Sequence, residues 1–178
     1  MLHNRTAVLA SICLSGLGLA ACGFQPLYGD GGSRVAPTLA NVYVEPVSER
    51  VGYELRNDLL DLFNASGSAD TAAYRLKLAL TEREDGVVLQ PNTAITRYNY
   101  SLVAHYELFP KGSTDAVKIG DVTALTAYNV ASAPFLYATV TAQRDARNRA
   151  ANQVAERIRT ELAVYLRGSL QRAAAAQP

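Results

Sequence analysis

The sequence is poor in the residues from which most catalytic and metal sites are built. It has two cysteines, two histidines and no tryptophan, and Cys13 and His3 both fall in a segment that we expect to be removed. No group of His and Cys has the spacing of a zinc site. A Ser-His-Asp triad would have to use His105, which falls mid-strand beside aromatic residues, where a single histidine is usually structural. We therefore expect no metal and no enzymatic activity.

Phosphate loops and paired catalytic carboxylates are missing in the same way. No glycine-rich loop follows a predicted strand. Glu82 with Glu84 or Asp85 comes nearest to a carboxylate pair, but these residues fall in a predicted turn, where we expect them to be solvated. Neither feature supports an enzyme.

An excess of charge of either sign is also absent. The chain has 17 Lys and Arg residues against 16 Asp and Glu residues, a formal net charge of +1 at pH 7. A neutral domain is a poor nucleic-acid binder by bulk electrostatics. We therefore expect no nucleic-acid partner.

The sequence does have an N-terminal export signal. Residues 1–6 carry Arg5 and no acid, and residues 7–21 form an uncharged run of small and apolar side chains. This order is typical of a secretory signal peptide. At 1.5 Å per residue the run would cover about 22 Å, which is short of the roughly 30 Å hydrocarbon core of a bilayer. We expect residues 1–21 to be cleaved off rather than to remain as a membrane-spanning helix.

The expected cleavage point precedes a cysteine. Leu19-Ala20-Ala21-Cys22 resembles the bacterial lipobox, in which the cysteine thiol receives a diacylglycerol before the signal peptidase cuts in front of it. The alternative is an ordinary A-x-A cleavage near a bystander thiol. Because Cys22 would be the only thiol left, no intramolecular disulfide can form. We predict that Cys22 is the lipidation site and that the covalent lipid is the only cofactor.

Several acyl chains, palmitate among them, would hold such a protein on a membrane much longer than one chain can. Gly23 follows the cysteine, whereas an Asp at this place favours retention at the inner membrane in the well-studied sorting system. This favours an outer-membrane location on the periplasmic side. Residues 22–39 contain Asp30-Gly31-Gly32-Ser33 and Ala36-Pro37-Thr38, so we predict a flexible tether there.

Residues 40–171 are predicted to form one folded domain, followed by a disordered tail at 172–178. A strand is predicted at 41–45, and Ser48 could cap a helix with an apolar stripe. From Ala72 the period changes to two, which predicts three antiparallel strands. We place their turns at Asp85-Gly86 and at residues 110–113, an interruption at Pro91-Asn92, and a register break at Gly120-Asp121.

The last segment predicts one long helix between Tyr137 and Leu170. It contains no proline, and an apolar stripe runs along it from Ala146 to Leu166. Its arginines are interpreted as a solvated face or, alternatively, as a contact surface for an acidic partner. They are Arg144, Arg147, Arg149, Arg157 and Arg159.

The element order is therefore β-α-β-β-β-α. It predicts an α+β fold in which two helices pack on one face of a four-stranded, mostly antiparallel sheet. The other face would have no cover from the chain itself and would need solvent or a polar partner. The residues predicted on that face are Arg75, Lys77, Arg97, Asn99, Ser101, His105 and Glu107.

The sequence resembles one lipoprotein family. The segment "ACGFQPLYG" at residues 21–29 and the closing "YATVTAQRDARNRAANQVAERIRTELAVYL" at residues 137–166, with the element order between them, are similar to the lipopolysaccharide-assembly lipoprotein family LptE in its alphaproteobacterial form. The likeness spans nearly the whole chain. It implies a protein without enzymatic activity that sits inside the LptD β-barrel, assists its assembly, and binds lipopolysaccharide during delivery to the outer leaflet.

A lipopolysaccharide site should present Lys or Arg to the phosphates of lipid A. Four basic residues on predicted strands or near strand ends are the candidates: Arg75, Lys77, Arg97 and Lys118. Ordinary surface charge is the alternative for each of them. A second class of protein also stays open, the auxiliary lipoprotein of a periplasmic lipid-transport ABC system.

Overall fold

The structure, a computed structural model, describes residues 34–65, 68–88, 95–131 and 136–176. Cys22, the signal segment and most of the predicted tether lie outside these residues, as does Pro91-Asn92. Among the helices of the described ranges, none is both long and apolar enough to cross a bilayer. The elements in chain order are α1 (Val35–Ala40), β1 (Val42–Val44), α2 (Arg50–Phe63), β2 (Tyr74–Val88), β3 (Ile95–Pro110), β4 (Lys118–Asn129) and α3 (Leu136–Ala175).

The four strands form one sheet in the order β1-β2-β3-β4. β1 pairs in parallel with β2, and the pairs β2-β3 and β3-β4 are antiparallel. The predicted meander and the predicted α+β class with a mostly antiparallel sheet are therefore confirmed. β1 and β4 are the two edge strands, and β3 lies in the interior of the sheet.

The two long helices cover one face of the sheet, as predicted. α2 packs against α3, and α3 packs against β4 and β3. The alternating residues of the strands and the apolar stripes of the helices supply the core because side chains at period two and at helical spacing each share one face. Its fully buried members include Leu55, Leu59, Leu76, Leu102, Tyr106, Leu108, Ile158, Leu162 and Leu166.

The folded part begins earlier and ends later than the sequence predicted. α1 lies within the stretch predicted to be a tether, and Val35 and Leu39, four residues apart, are buried against the core. α1 packs on both long helices. At the other end, α3 continues to Ala175, past the predicted start of the tail at 172.

The turn predicted at Asp85-Gly86 is wrong. Asp85 pairs with Asn99 and Gly86 with Tyr98, so β2 stays extended as far as Val88. A turn at 85–86 would leave the first residues of β3 without a partner on β2. The longer ladder satisfies their backbone groups, and this outweighs the local turn preference of Asp-Gly.

The register break predicted at Gly120-Asp121 is also wrong. Gly120 pairs with Tyr106 and Asp121 with His105 in an unbroken ladder. The glycine is needed for packing instead, because an added Cβ would lie 2.6 Å from the Tyr106 hydroxyl. The turn at residues 110–113 is confirmed by the bond from the Ser113 amide to the Pro110 carbonyl and by the positive φ of Gly112.

The predicted cap of α2 is replaced by another geometry. The helix begins at Arg50, its N-cap is Glu49 with φ of 70°, and no side chain bonds to the N-terminal amides. Ser48 therefore does not cap the helix. Its apolar stripe is confirmed, since Val51, Leu55 and Leu59 are buried.

Candidate functional site

Two of the predicted lipopolysaccharide-binding residues lie together on the uncovered face of the sheet. Arg75 Nη1 is 2.6 Å from Glu45 Oε1, and its guanidinium lies 4.6 Å from the centre of the Phe109 ring. Lys77 Nζ is 3.7 Å from Glu107 Oε2. Each cation is therefore already paired with a carboxylate, although more than two fifths of each basic side chain is exposed.

The other two candidates lie elsewhere. Arg97 is on the same face, but it pairs with Val87, which is ten residues along β2 from Lys77 and hence about 33 Å away at 3.3 Å per residue. Lys118 is on the helix-covered face, with Nζ 5.9 Å from the centre of the Tyr106 ring. The four basic residues do not converge on one anion, and their role in lipopolysaccharide binding stays a prediction.

Pairs of acidic and basic side chains, within and between strands, balance the charge of the uncovered face. His105 Nδ1 is 2.8 Å from Asp121 Oδ1, and His105 Nε2 is 3.9 Å from Glu107 Oε1. Between these groups the face also presents apolar side chains, of which Leu125 is 72% exposed and Ile119 51% exposed. The uncovered face is therefore mixed in character and close to neutral.

A polar cluster on the covered face was missed by the sequence analysis. Glu82 and Glu84 lie on β2 rather than in a turn, and their side chains are only 24% and 25% exposed. Arg147 of α3 reaches both carboxylates, with Nε 3.6 Å from Glu82 Oε2 and Nη2 3.2 Å from Glu84 Oε1. Gln143 Nε2 donates to both Glu84 oxygens at 3.1 Å. The acids predicted to be solvated thus bind α3 to the far end of β2.

Tyrosines complete this cluster. Tyr100, whose side chain is fully buried, donates its hydroxyl proton to Glu82 Oε2 at 2.8 Å. Burial, helped by the bond to Glu82, raises the pKa of the Tyr100 phenol above its ordinary value. Burial and the charge of Glu84 raise the pKa of Tyr128 in the same way. Both phenols therefore remain protonated donors over the physiological range.

A cleft of about 490 Å³ opens beside the cluster. It lies between the start of α2 and the first third of α3, and it contains three basic and two acidic side chains: Arg50, Arg144, Arg147, Glu49 and Glu82. The mixed charge makes it a poor match for a phosphate. Within the described ranges, no group of three His, Cys, Asp or Glu residues is placed so that it could hold a metal.

Several arginines on the exposed face of α3 also bond within the chain. Arg149 donates to the backbone carbonyl of Ala127, and Arg157 donates to that of Thr123. Together with Arg147, they attach α3 to the sheet. Arg144 is exposed, in keeping with the interpretation of a solvated face.

The comparisons with known proteins agree with this architecture. A family model described as "LptE: Lipopolysaccharide-assembly" matches residues 39–162, which contain the whole sheet and α2. No curated protein sequence gives a significant match.

Three solved lipoprotein structures share the fold. A candidate lipoprotein from Caulobacter crescentus CB15 superposes with a TM-score of 0.65 at 28% identity, over 76% of this chain and 98% of its own. A minor lipoprotein from Acinetobacter baumannii gives 0.53 at 15% identity, over 70% of this chain and 89% of its own.

Rare lipoprotein B from Shewanella oneidensis gives a TM-score of 0.52 at 14% identity, over 70% of this chain and 92% of its own. The last two likenesses concern the fold alone. The family model covers more than half of the chain, from the end of α1 to about two thirds of the way along α3. The chain belongs to the LptE family of lipopolysaccharide-assembly lipoproteins, a family without enzymatic activity.

Proposed function

We propose that the protein is an outer-membrane lipoprotein that partners the LptD β-barrel, assists its assembly, and takes part in the transport and insertion of lipopolysaccharide. The observation that carries this proposal is the family match across residues 39–162. A partner protein needs a surface rather than a catalytic centre, and the uncovered sheet face is such a surface.

The chemistry of that face supports a place inside a barrel. The lumen of a large outer-membrane barrel is polar. The uncovered face presents paired ions such as Lys77 with Glu107 and His105 with Asp121, so it brings little net charge into the lumen. A strongly charged or wholly apolar face would fit such a lumen less well.

The start of the folded part supports lipid anchoring. α1 is packed on both long helices, so the chain is held to the domain from Val35 onward, and eleven residues lie between Cys22 and Arg34. Any random-coil chain of that length would have a typical end-to-end distance of about 18 Å. An acylated Cys22 would therefore keep the domain close to the bilayer. Cys22→Ala should release the protein from membranes, and full retention in the membrane fraction would contradict anchoring.

Lipopolysaccharide binding is proposed for the uncovered face around Arg75 and Lys77. Reversing both charges should weaken binding of purified lipopolysaccharide, because each cation could exchange its carboxylate partner for a phosphate. The double variant Arg144→Glu with Arg172→Glu, at two exposed arginines of α3, is the matched control and should bind as the wild type does. Unchanged binding by the double variant would remove Arg75 and Lys77 from the site.

A pull-down from gently solubilised membranes tests the proposal as a whole. The tagged full chain should be recovered from the outer membrane with one barrel protein, LptD. Recovery with an inner-membrane transporter would instead assign the chain to a lipid-transport ABC system and would contradict the proposed function.

A further inference from the structure

Both edges of the sheet carry arginine side chains from the helices above. On the β1 edge, Arg56 Nε of α2 donates to the Val44 carbonyl at 3.1 Å. On the β4 edge, Arg149 Nη2 and Arg157 Nη1 of α3 donate to the carbonyls of Ala127 and Thr123. These carbonyls point away from the neighbouring strand. An arginine bonded to an outward carbonyl hinders the pairing of another strand at that position.

The spacing shows how these arginines of α3 reach successive outward carbonyls of β4. Arg149 and Arg157 are eight residues apart, which is about 12 Å along a helix. Their acceptors, Ala127 and Thr123, are four residues apart, which is about 13 Å along a strand. The helix runs antiparallel to β4 with matching steps, so arginines on one helix face meet successive outward carbonyls. We call residues 123–127 of β4 the guarded segment.

These arginine contacts end before the strand does. In an antiparallel ladder, backbone groups alternate between facing the neighbouring strand and facing outward. Since the backbone carbonyls of Thr123 and Ala127 face outward, the backbone amides and carbonyls of Ile119 and Asp121 do so too. Among the described residues, no group hydrogen-bonds to the outward amides and carbonyls of these two residues. We call residues 119–121 the open segment.

The helix face above the open segment also changes character. Glu161 accepts a hydrogen bond from the Tyr106 hydroxyl, and Tyr106 lies against Gly120, so this part of α3 stands over the open segment. The same eight-residue step leads from Arg157 to Tyr165, which is half-buried, and the neighbouring Val164 is 59% exposed. Where an arginine would be needed to continue these contacts, α3 presents a tyrosine and a valine.

We propose that the open segment is a strand-addition site, which takes an extended segment of the barrel partner as a fifth strand beside β4. The inference rests on the proposed function for the identity of the partner. Outward amides and carbonyls at strand spacing are matched best by the main chain of another strand. The alternating side chains of the incoming strand would meet Ile119 on one face and Val164 on the other, so apolar residues are expected at alternate positions.

A second copy of the chain fits this edge less well. Antiparallel pairing of two copies about Gly120 would place Thr123 of one copy opposite Val117 of the other. Arg157, bonded to the Thr123 carbonyl, would then occupy the path of the incoming strand. A partner segment that ends at the guard has no such conflict.

Proline substitution in the full-length chain tests the proposal. Ile119→Pro removes an outward amide without touching the ladder to β3, which edge strands tolerate. Leu125→Pro is the matched control. The backbone amide of Leu125 also faces outward and its side chain lies on the same face of the sheet as that of Ile119, but Leu125 is in the guarded segment. In the membrane pull-down, we expect Ile119→Pro to recover about tenfold less LptD than the wild type and Leu125→Pro to recover as much.

A helix variant tests the same site without altering β4. Val164→Arg places an arginine on the guarding face of α3 and should lower LptD recovery as Ile119→Pro does. Val140→Arg, at another exposed valine of α3, is its control and should not. Thermal unfolding of all four variants checks that each is folded.

The inference is overturned if Ile119→Pro and Val164→Arg both recover LptD as the wild type does, or if the controls lose it equally. A photo-cross-linker at residue 119 should join the chain to LptD, whereas a cross-linked dimer of this chain would also overturn the inference. Failure of the wild type itself to recover LptD would refute the proposed function, and with it the occupant named here.

Discussion

The two faces of the sheet use charge in different ways. On the covered face, Arg147 joins Glu82 and Glu84 across 63 to 65 residues of sequence, and the carboxylates are about one quarter exposed. On the uncovered face, Lys77 and Glu107 are register partners on adjacent strands, and the lysine side chain is 56% exposed. The first set holds a helix to the sheet. The second only neutralises a surface.

This difference indicates where stability and where function reside. A half-buried ion pair has lost part of its hydration, so removal of one partner leaves a charge that water cannot fully solvate. An exposed pair is solvated with or without its partner and contributes little. The uncovered face can therefore exchange its partners with a second protein at low cost, whereas the covered face cannot.

The largest effect is expected at Arg147. Arg147→Ala should lower the free energy of unfolding by about 2–3 kcal/mol, because Glu82 and Glu84 would remain half-buried beside each other without their cation. Urea unfolding measures the change. Arg144→Ala, at an exposed arginine of the same helix, is the control and should change it by less than about 0.5 kcal/mol. Equal effects of the two substitutions would contradict the contrast between the faces.

Packing under the covered face gives the next largest effect. Gly120→Ala should destabilise the protein by about 1–3 kcal/mol, since the new methyl group would have to displace the buried Tyr106 ring. Gly168→Ala provides a control of opposite sign. A Cβ at Gly168 meets open space, and alanine is favoured over glycine in a helix by about 0.5–1 kcal/mol. Thermal melts should separate the two variants, and destabilisation by both would refute this explanation.

On the uncovered face the expected effect on stability is smaller. Lys77→Met should change the free energy of unfolding by less than about 1 kcal/mol, because its pair with Glu107 is exposed. The change should shrink further in high salt, which screens exposed pairs. A loss as large as that of Arg147→Ala would show that the uncovered face is a structural element in its own right.

The smallest effect concerns a carboxylate among like charges. Burial, then the charges of Glu54 and Asp61, raise the pKa of Asp58. The ionised form is thus disfavoured in the folded state, and this cost is present at neutral pH and disappears as the pH falls through the raised pKa. Asp58→Asn should therefore stabilise the protein at pH 7 by about 0.2–0.5 kcal/mol for each like-charged pair removed.

The pH dependence of this gain is the check. Urea unfolding at pH 7 and at about pH 3, below the ordinary Asp pKa, should show the stabilisation at the higher pH only. A gain that persists unchanged in acid would mean that Asp58→Asn acts through packing rather than through charge.

Periodicity was sufficient to predict the sheet, the two long helices and their common face. The polar cluster was missed because Asp85-Gly86 was interpreted as a turn, although Glu82 and Glu84 continue the alternation of Leu76, Leu78 and Leu80. That parity was the signal that could have identified them. α1 likewise had a signal in the spacing of Val35 and Leu39, which are four residues apart.

Other features depend on tertiary contacts that no local pattern contains. The need for Gly120 arises from Tyr106 on another strand. The guard on β4 arises from the direction in which α3 crosses the sheet, so Arg149 and Arg157 could not be distinguished from Arg144 by sequence. The four basic candidates fail to converge for the same reason. The distances between them are set by the length of the strands and by the face of the sheet on which each residue lies, and composition contains neither.

The most direct test of the account is depletion of the protein in its own bacterium, followed by measurement of folded LptD and of lipopolysaccharide at the cell surface. The account predicts that both decline together and are restored by the wild-type chain. Normal amounts of folded LptD and of surface lipopolysaccharide after full depletion would contradict it.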